Sequence, residues 1–454
     1  MLVMSALSYL QQRASQNWLI GLNSARLVEL AALRVQELTQ LQSSHPQLTV
    51  LLAESHPVDF LAGLIAAWSV NCPVFLGNAK WAEAEWQQVL ALATPDVIWS
   101  DRPWEARKIE RGGNCPKPQP GWIMIPTGGS SGQIRFAIHT WETLTAAVSG
   151  FQAYFQVEQI HSCCVLPLYH VSGLMQFVRS FVTGGKFAVL PFKTFEQRLC
   201  ELQPSDCFLS LVPTQLQQLL QHSRTIEQLA QFQTIFLGGA PAWPSLLETA
   251  RAHALRLAPT YGMTETAAQI ATLKPDDFLR GITSVGAVLP HATVQILDST
   301  GKAILDGEIG EVVVQARSLM LGYFPDLFLA TPTQFQTDDL GFFDPHGNLR
   351  IVGRNSQKII TGGENVFPAE VEAAIRSTGL VRDVCVVGIP DQTWGEAVTA
   401  VYVPSSPEAN TSAIQAAISP RLSKFKHPKQ WIVVNALPRN VQGKVNDAIL
   451  KQIL

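Results

Sequence analysis

The segment Pro126–Arg135 (PTGGSSGQIR) places glycines and hydroxyl side chains directly after an apolar run, Trp122–Ile125, that predicts a strand. Small residues let backbone N–H groups approach phosphate oxygens, hydroxyls add donors, and Arg135 adds charge-assisted hydrogen bonds. The segment is not a P-loop, because no Lys-Ser/Thr pair closes it. An ordinary Gly/Ser turn has a similar composition. We interpret the segment as a polyphosphate-binding loop of another kind.

Further motifs follow this loop in a fixed order. They are Pro167–Leu174 (PLYHVSGL), Gly238–Pro241 (GGAP), Tyr261–Thr266 (YGMTET), Thr337–Gly341 (TDDLG), Gly353–Asn365 (GRNSQKIITGGEN) and Pro438–Val445 (PRNVQGKV). From about Ile123 to the C-terminus the series resembles the ANL superfamily of adenylate-forming enzymes, which includes acyl-CoA synthetases, adenylation domains and luciferases. The resemblance implies that ATP activates a carboxylic acid as an acyl-adenylate, and that coenzyme A then displaces AMP.

The resemblance also implies a nucleotide site assembled from several motifs. Its residues are Thr127, Gly128, Gly129, Ser130, Ser131, Gly132, Gly238, Gly239, Ala240, Pro241, Tyr261, Gly262, Thr264, Asp339 and Arg354. Tyr261 is expected to stack on adenine, with Gly238–Pro241 as the opposite wall. Asp339 and Arg354 are expected to hold the ribose hydroxyls.

Adenylation brings two anions together, so its barrier is largely electrostatic and is lowered by positioned cations and donors. The implied catalytic residues are Arg135, His170, Glu265 and Lys444. Arg135 stands where relatives usually have Lys, Glu265 is expected to bind Mg²⁺, and Lys444 is expected to contact the carboxylate and the α-phosphate. Without the motifs, Glu265 would be an ordinary solvated residue after a turn and Lys444 an ordinary surface residue.

The acid-binding residues are inferred from a resemblance to a narrower family. The segments Pro167–Ser180 (PLYHVSGLMQFVRS) and Tyr261–Leu273 (YGMTETAAQIATL) resemble o-succinylbenzoate-CoA ligases of menaquinone and phylloquinone biosynthesis, and Ser284–Pro290 and Trp394–Glu396 fit more loosely. That acid carries two carboxylates, and the one that is not activated needs a cation once it leaves water. The implied acid-binding residues are His170, Ser172, Arg179 and Gln269.

Arg179 is the only Lys or Arg in the apolar stretch Val165–Val182, although an Arg that extends from a helix to solvent would look the same in sequence. Gly362 and Gly363 are implied to line the coenzyme A route, and a glycine pair could also be only a turn.

Two other functions stay open. One is another aryl- or acyl-CoA synthetase or a free-standing adenylation enzyme that loads a carrier protein, and the other is a non-catalytic nucleotide-binding protein.

Some positions depart from the superfamily pattern. Asp338 replaces the usual Gly, Asp447 stands where relatives often have Arg, and the hinge residue Ser356 is followed by Gln357 where relatives usually carry an acidic or polar residue. Their effects stay open at this point.

The spacing of apolar residues predicts an α/β protein with layered sheets and helices. Residues 1–353 are expected to form a large N-terminal domain that binds ATP and the acid. Residues 354–454 are expected to form a small α+β domain, and the superfamily resemblance implies that this domain is a mobile lid with a hinge near 354–357. The lid is predicted to hold a strand near Lys358–Thr361, a helix opened by Pro368, and strands at Val384–Ile389, Val398–Val403 and Trp431–Val434.

Composition limits the remaining possibilities. The chain has 454 residues, of which 47% are hydrophobic and 15% charged, and its formal net charge of -3 argues against a general nucleic-acid binder. The longest apolar run, Phe60–Val70, is too short to cross a bilayer and predicts a core helix. The start resembles no signal peptide, and cysteines without CxxC spacing suggest buried thiols in a reducing compartment. We therefore expect a cytoplasmic enzyme with small-molecule substrates, and whether it forms a homo-oligomer stays open.

Overall fold

The computed structural model describes residues 5–102, 116–128, 134–199, 203–304, 307–326, 333–407, 409–439, 445–446 and 449–450. Within these ranges the α-helices are α1 (Ala6–Gln12), α2 (Ser24–Ser44), α3 (Pro57–Ser69), α4 (Glu83–Ala93), α5 (Trp141–Phe155), α6 (Val171–Val182), α7 (Phe195–Arg198), α8 (Pro213–Leu219), α9 (Ser223–Leu229), α10 (Pro244–Ala252), α11 (Pro275–Leu279), α12 (Pro368–Arg376) and α13 (Thr411–Ile418).

The strands of the larger, N-terminal part come first. They are β1 (Leu19–Ile20), β2 (Val50–Ala53), β3 (Val74–Leu76), β4 (Val97–Ser100), β5 (Ile123–Gly128), β6 (Ile134–His139), β7 (His161–Cys164), β8 (Phe187–Val189), β9 (Cys207–Leu211), β10 (Thr234–Leu237), β11 (Leu257–Met263), β12 (Ala268–Thr272), β13 (Ala287–Val288), β14 (Ala292–Leu297), β15 (Gly310–Ala316), β16 (Tyr323–Phe324), β17 (Phe335–Phe343) and β18 (Leu349–Arg354). The strands of the C-terminal part are β19 (Ile359–Thr361), β20 (Glu364–Val366), β21 (Val381–Asp391), β22 (Gly395–Pro404) and β23 (Gln430–Val433).

The largest sheet has the order β1-β8-β7-β9-β10-β11-β12-β13. Its strands are parallel from β1 to β11, and β12 and β13 continue it antiparallel. Strand β10 is buried along its whole length, as expected of a parallel strand covered on both faces. The carboxyl ends of β10 and β11 therefore lie side by side at one edge of the sheet, where two of the predicted nucleotide motifs begin.

A second sheet has the order β16-β6-β5-β3-β2-β4. Strands β4, β2, β3 and β5 are parallel, whereas β6 and β16 are antiparallel to their neighbours. The predicted α/β architecture with layered sheets and helices is confirmed. One continuous apolar cluster contains residues of both large sheets and of α3, α5 and α6, so the two sheets share a core.

Helix α3 begins at Pro57 and is buried on nearly every side, which confirms the predicted core helix. Among the residues that the structure describes, no helix combines the length and the apolar character needed to cross a membrane. Cys72, Cys163, Cys164, Cys207 and Cys385 are buried, as predicted. The other two cysteines of the chain, at positions 115 and 200, lie outside the described residues.

The smaller sheets lie later in the chain. Antiparallel strands β14-β15-β17-β18 form one of them, and β20-β19-β22-β21 with β23 beside β22 form the other. The second of these sheets packs with α12 and α13 around an apolar cluster of its own. The helix predicted at Pro368 and the strands predicted in this region are confirmed, with bounds that differ by a few residues. The domain boundary at residue 353 stays a prediction.

Candidate active site

The predicted phosphate loop connects a hairpin. Strands β5 and β6 are antiparallel, with Thr127 opposite Arg135 and Gly128 opposite Ile134, so both ends of the loop are held together. Gly129, Ser130, Ser131 and Gly132 lie outside the described residues. Arg135 is exposed on β6 and its guanidinium lies 4.5 Å from the centre of the Tyr323 ring, on the neighbouring strand β16. The cation at the end of the loop is thus positioned by an aromatic residue that the sequence analysis did not single out.

The two motifs of the predicted adenine pocket are neighbours. Gly238–Pro241 follow β10 directly, and Tyr261 lies near the end of β11, which pairs with β10 in register Leu237 to Pro259. Gly239, Ala240 and Pro241 are exposed, whereas Gly238 is half-buried against Thr260. The exposed loop and the Tyr261 side chain can therefore border one cleft at this edge of the sheet.

Tyr261, Asp339 and Arg354 form one connected group. The Tyr261 hydroxyl donates to Oδ2 of Asp339 at 2.7 Å, and Nε of Arg354 lies 3.5 Å from Oδ1 of Asp339, its partner across β17 and β18. Burial, followed by the negative charge of Asp339, raises the pKa of Tyr261 well above its usual value. The phenol therefore stays protonated and orients the carboxylate that is predicted to hold the ribose.

Gly262 has a steric role in the YGMTET motif. A β-carbon at this position would lie 2.0 Å from the carbonyl oxygen of Ala268 on β12, at a point where the β11–β12 register shifts. The close approach of the two backbones turns the chain into a short 3₁₀ segment, Thr264–Thr266, in which Thr264 and Glu265 are both half-buried. Only glycine allows this turn without moving the strand.

Glu265 and Arg135 meet around one tyrosine. The Tyr323 hydroxyl donates to Oε1 of Glu265 at 2.6 Å, while Arg135 lies over the Tyr323 ring. Burial, followed by the charge of Glu265, raises the pKa of Tyr323 well above its usual value, so the phenol remains a donor. In addition, the backbone N–H of Met320 donates to the Glu265 carbonyl at 2.8 Å. Two predicted catalytic residues from distant motifs are thus brought to one place.

His139, a second residue that the sequence analysis missed, holds the backbone carbonyl of Thr264. The His139 ring is fully buried, with Nε2 2.7 Å from the Thr264 carbonyl and Nδ1 3.0 Å from Oγ1 of Thr143. Burial lowers the pKa of His139 to about 4, although the bond to Thr264 opposes the shift. A neutral ring satisfies both contacts if Nε2–H donates to the carbonyl and Nδ1 accepts from the threonine hydroxyl.

Glu265 could supply one of the several oxygen ligands that a Mg²⁺ ion needs. Glu265 is a lone carboxylate, since the described ranges contain no group of three or more His, Cys, Asp or Glu residues that could hold a metal ion. Mg²⁺ prefers oxygen ligands and often takes most of them from water and substrate phosphates. Glu265, oriented by Tyr323, therefore fits a Mg²⁺ ion that arrives with a nucleotide.

The predicted acid-binding residues lie on one face of α6 and on β12. Arg179 is 5% exposed, its Nη2 donates to Oε1 of Gln269 at 2.5 Å, and its guanidinium lies 4.4 Å from the centre of the Phe151 ring. Burial lowers the pKa of Arg179 to about 9. Within the described ranges no carboxylate lies at ion-pair distance from Arg179, and its Nε has no hydrogen-bond partner. The alternative that Arg179 extends to solvent is wrong, because the side chain is buried.

The other two predicted acid-binding residues mark the start of α6. His170 is the residue before the helix, is half-buried and contacts the Tyr169 ring at 4.4 Å. A β-carbon at Gly173 would lie 2.1 Å from the Pro167 carbonyl, so the PLYH segment folds closely onto the helix. Ser172 is exposed, and its carbonyl accepts from Nε2 of Gln176. Positions 172, 176 and 179 share a helix face that leads from the surface to the buried guanidinium.

The C-terminal motifs are placed only in part. Gly362 and Gly363 form the exposed turn between β19 and β20 with φ of 59° and 84°, in the left-handed region that favours glycine. The exposed Trp394 borders this turn, since the Gly362 N–H donates to its carbonyl at 2.8 Å. Lys444 and Asp447 lie outside the described residues. The hinge turn Asn355–Gln357 is exposed and follows β18.

Comparison with protein families identifies this arrangement. A profile described as "AMP-binding enzyme" matches residues 38–324, and one described as "AMP-binding enzyme C-terminal domain" matches residues 370–444. The chain belongs to the AMP-binding enzyme family. The membership in the adenylate-forming superfamily that the motifs predicted is thereby confirmed.

Curated relatives in this family are about one third identical to the chain over the matched segments. The 2-succinylbenzoate--CoA ligase of Enterococcus faecalis is 32% identical over 329 residues, which cover 71% of this chain and 67% of the relative. The 2-succinylbenzoate--CoA ligase of Listeria monocytogenes is 33% identical over 339 residues, which cover 72% and 69%.

Two solved structures have the same fold over nearly the whole chain. The o-succinylbenzoate CoA synthetase of Bacillus subtilis, in complex with its acyl-adenylate intermediate, superposes with a TM-score of 0.83 at 24% identity, covering 98% of this chain and 97% of the other. The ATP-bound MatB of Rhodopseudomonas palustris superposes with a TM-score of 0.80 at 22% identity, covering 99% of both chains. The predicted fold class of the AMP-binding enzyme is confirmed.

Proposed function

We propose that the protein is an AMP-forming acid-CoA ligase that adenylates 2-succinylbenzoate with ATP and transfers the acyl group to coenzyme A. Membership in the AMP-binding enzyme family supports the reaction type, and the names of the curated relatives support this acid. The structural observation that carries the choice of acid is Arg179, a buried cation on the acid-pocket helix with no carboxylate partner among the described residues. We also propose that the reaction serves menaquinone or phylloquinone biosynthesis.

In the first half-reaction a carboxylate oxygen of the acid forms a bond to the α-phosphorus of ATP. The bond from that phosphorus to its bridging oxygen breaks, and pyrophosphate leaves. Arg135 supplies positive charge at the end of the phosphate loop, and Asp339, oriented by Tyr261, accepts hydrogen bonds from the ribose. Lys444 is proposed, from its motif, to contact the reacting carboxylate and the α-phosphate. Such oriented charges lower the barrier because negative charge develops between the reacting groups.

Glu265 is the residue that would hold Mg²⁺ beside the phosphates. When bound, the ion supplies positive charge that offsets the charge of the nucleotide phosphates. The protein orients this carboxylate: the Tyr323 hydroxyl donates a hydrogen bond to it, and Arg135 packs over the Tyr323 ring. His139 adds a hydrogen bond to the carbonyl of the preceding residue, Thr264, and so fixes the backbone of the motif.

In the second half-reaction the sulfur of coenzyme A forms a bond to the acyl carbon, the bond to the AMP oxygen breaks, and the thiol proton is lost to solvent. We propose that residues 354–454 turn about the hinge at 354–357 between the two steps. Gly362 and Gly363 then line the thiol route, because an exposed turn without side chains allows close approach of the cofactor's arm. His170, at the start of α6, lines the approach to the acyl carbon.

The acid pocket selects its substrate by charge. Removing a carboxylate from water is costly unless a cation and hydrogen-bond donors replace the water. Arg179 is already desolvated in the folded protein and is held by Gln269 and the ring of Phe151. Binding of the acid therefore adds no further cost for desolvating the guanidinium. An acid without a second carboxylate would leave Arg179 buried and unpaired, and we therefore expect such an acid to be a poor substrate.

The test is pyrophosphate release across a panel of carboxylic acids, with and without coenzyme A. We expect 2-succinylbenzoate to be the preferred acid and a monocarboxylic analogue of the same ring to be poor. Arg179→Met keeps the packing of the side-chain stem but removes the charge, and should cost roughly 2 to 5 kcal/mol in kcat/KM for 2-succinylbenzoate with little effect on the KM for ATP.

The comparison of the two acids separates a direct contact from a packing defect. Arg179→Met should lose little further activity toward the monocarboxylic analogue, whereas a packing defect would depress both acids alike. If the unchanged protein uses benzoate or a fatty acid as well as 2-succinylbenzoate, the proposed acid is wrong and another aryl- or acyl-CoA synthetase activity takes its place. If adenylation occurs but coenzyme A is not consumed, a carrier-loading adenylation enzyme is favoured.

A further inference from the structure

Several buried polar atoms near α5 and α6 have no hydrogen-bond partner in the described part of the chain. They are Nε of Arg179, Oε1 of Gln176, and both Nδ1 and Nε2 of His291. All three side chains are strongly buried, with exposed fractions of 5%, 2% and 6%. Buried polar groups are nearly always satisfied in native proteins, so a cluster of unsatisfied ones indicates a polar partner that the protein alone does not supply.

His291 reaches this cluster because α5 has a glycine at position 150. A β-carbon at Gly150 would lie 1.9 Å from Nδ1 of His291, so the imidazole packs directly on the helix backbone. The next residue, Phe151, carries the guanidinium of Arg179 over its ring at 4.4 Å. Adjacent residues of α5 therefore contact the two side chains, and His291 lies close enough to Arg179 for the guanidinium charge to lower its pKa.

A second connection runs through β12. The backbone N–H of Leu289 donates to the carbonyl of Ile270 at 2.8 Å, which ties the segment carrying His291 to this strand. The residue before Ile270 is Gln269, whose Oε1 accepts from Arg179. The segment that carries His291 and the side chain of Arg179 therefore contact neighbouring residues of β12.

We propose that His291 is a further specificity-determining residue of the acid pocket, which donates a ring N–H to the carboxylate held by Arg179. The inference rests on the proposed function, since it names a second contact to the non-reacting carboxylate of a dicarboxylic acid. A carboxylate has lone pairs for several donors, and a desolvated one needs more than a single guanidinium to replace its water. His291 and Arg179 would then approach the anion from two different elements.

The protonation state of His291 agrees with a neutral donor. Burial, followed by the positive charges of Arg179 and Arg317, lowers the pKa of His291 to about 4. A neutral imidazole has one N–H to donate, and the ring does not add a second buried cation beside Arg179. An incoming carboxylate offers this N–H the acceptor that the described residues do not provide.

The experiment compares two substitutions at this position. His291→Leu removes both nitrogens, and we expect kcat/KM for 2-succinylbenzoate to fall by about tenfold to a hundredfold, mainly through KM, as for the loss of a hydrogen bond to a charged group. His291→Gln retains an N–H donor near the position of Nε2, the ring nitrogen that does not face Gly150, and should restore part of the loss. The KM for ATP and the rate with the monocarboxylic analogue should change little in both variants.

A double-mutant cycle with Arg179→Met completes the test. If both side chains bind one carboxylate, the double variant should lose clearly less than the product of the two single losses. Equal losses with both acids would reduce His291 to a packing residue and overturn the inference. Unchanged kinetics in His291→Leu would do the same, and would point to bound water as the partner of the ring.

The two proposals can fail separately. If the unchanged protein prefers 2-succinylbenzoate but the His291 variants fail to discriminate between the acids, only the role of His291 is wrong. If the protein prefers a different dicarboxylic acid in the panel, the proposed substrate is wrong, and the same variants then test His291 with that acid.

Discussion

Asp338 accepts two hydrogen bonds from Ser356, one from the backbone N–H at 3.0 Å and one from the hydroxyl. The contact joins β17, at the residue before the predicted ribose ligand Asp339, to the turn Asn355–Gln357. Asp338 departs from the superfamily pattern, as does Gln357, which follows Ser356, and the sequence alone left their effects open. In the structure Asp338 contacts the hinge turn, so β17 supplies an acidic group to the hinge.

This contact predicts an effect of Asp338→Gly on the balance between the half-reactions. If the C-terminal part turns at 354–357, the conformation described here is favoured by the two bonds, which at an exposed site contribute on the order of 1 kcal/mol. Their loss should shift the lid equilibrium by up to about tenfold. We therefore expect adenylation and thioester formation, measured separately, to change in opposite directions.

Asp298 provides a matched control. It is half-buried and also accepts from both the backbone N–H and the hydroxyl of one residue, Thr300, at 2.8 and 2.6 Å, but it lies in a turn after β14. Asp298→Gly should leave both half-reactions unchanged. A parallel decline of the two half-reactions in Asp338→Gly would show that the contact supports the fold and not the hinge.

The sequence predicted the motifs and most of the elements, but not the contacts that position them. Glu265 and Arg135 were identified from their motifs, yet Tyr323, which touches both, lies 58 residues after Glu265 and belongs to another strand. His139 lies 125 residues before Thr264, whose carbonyl it holds. Local sequence patterns reflect the periods of helices and strands. The partners of Glu265 and Thr264 depend instead on how strands that are distant in sequence pair with one another. A tyrosine or histidine in an apolar strand gives no local sign of such a partner.

His139 predicts a loss of stability in acid. Its folded pKa of about 4 lies below the ordinary histidine value near 6.5, so the unfolded chain binds the proton more tightly. The stability contributed by the neutral ring is complete above about pH 6.5 and falls as the pH drops toward 4, by up to about 3 kcal/mol. Urea unfolding midpoints at pH 7.5 and 5 should show the decline.

Two variants check the source of this decline. His139→Gln cannot titrate, so its midpoint should depend less on pH, although its stability at pH 7.5 should be lower because the bonds to Thr264 and Thr143 change. His45 is exposed at the end of α2, and His45→Gln should retain the pH dependence of the unchanged protein. An unchanged slope in His139→Gln would assign the acid sensitivity to other groups, of which His291 is the first candidate.

Lys444→Ala is predicted to slow adenylation far more than thioester formation from supplied acyl-adenylate. One oriented charge at the α-phosphate is worth roughly 3 to 4 kcal/mol, or about a hundredfold to a thousandfold in rate. Single-turnover assays of the two half-reactions provide the measurement. Equal losses in both steps would contradict a lid that presents different faces to them, whereas Lys302→Ala, in an exposed turn, should affect neither step.

The bond from Tyr323 to Glu265 predicts a specific effect on metal affinity. The hydroxyl fixes one carboxylate oxygen, Oε1, and the described residues donate no hydrogen bond to the other. Groups that orient a metal-binding carboxylate commonly change metal affinity by about tenfold to a hundredfold when they are removed. The Tyr323 ring also holds Arg135, so the substitution must keep the ring.

Tyr323→Phe meets that condition, and we expect it to raise the Mg²⁺ concentration for half-maximal pyrophosphate release by about tenfold with little change at saturating Mg²⁺. Since activity alone cannot separate affinity from rate, Mn²⁺ binding in the presence of ATP should be measured by electron paramagnetic resonance and should weaken in parallel. Tyr402→Phe, which removes a hydroxyl bonded to Thr411 in the C-terminal part, serves as the control and should leave Mn²⁺ binding unchanged. If the Tyr323→Phe and unchanged proteins bind Mn²⁺ alike, the hydroxyl does not position a metal ligand, and Glu265→Gln would then show whether Glu265 binds the ion at all.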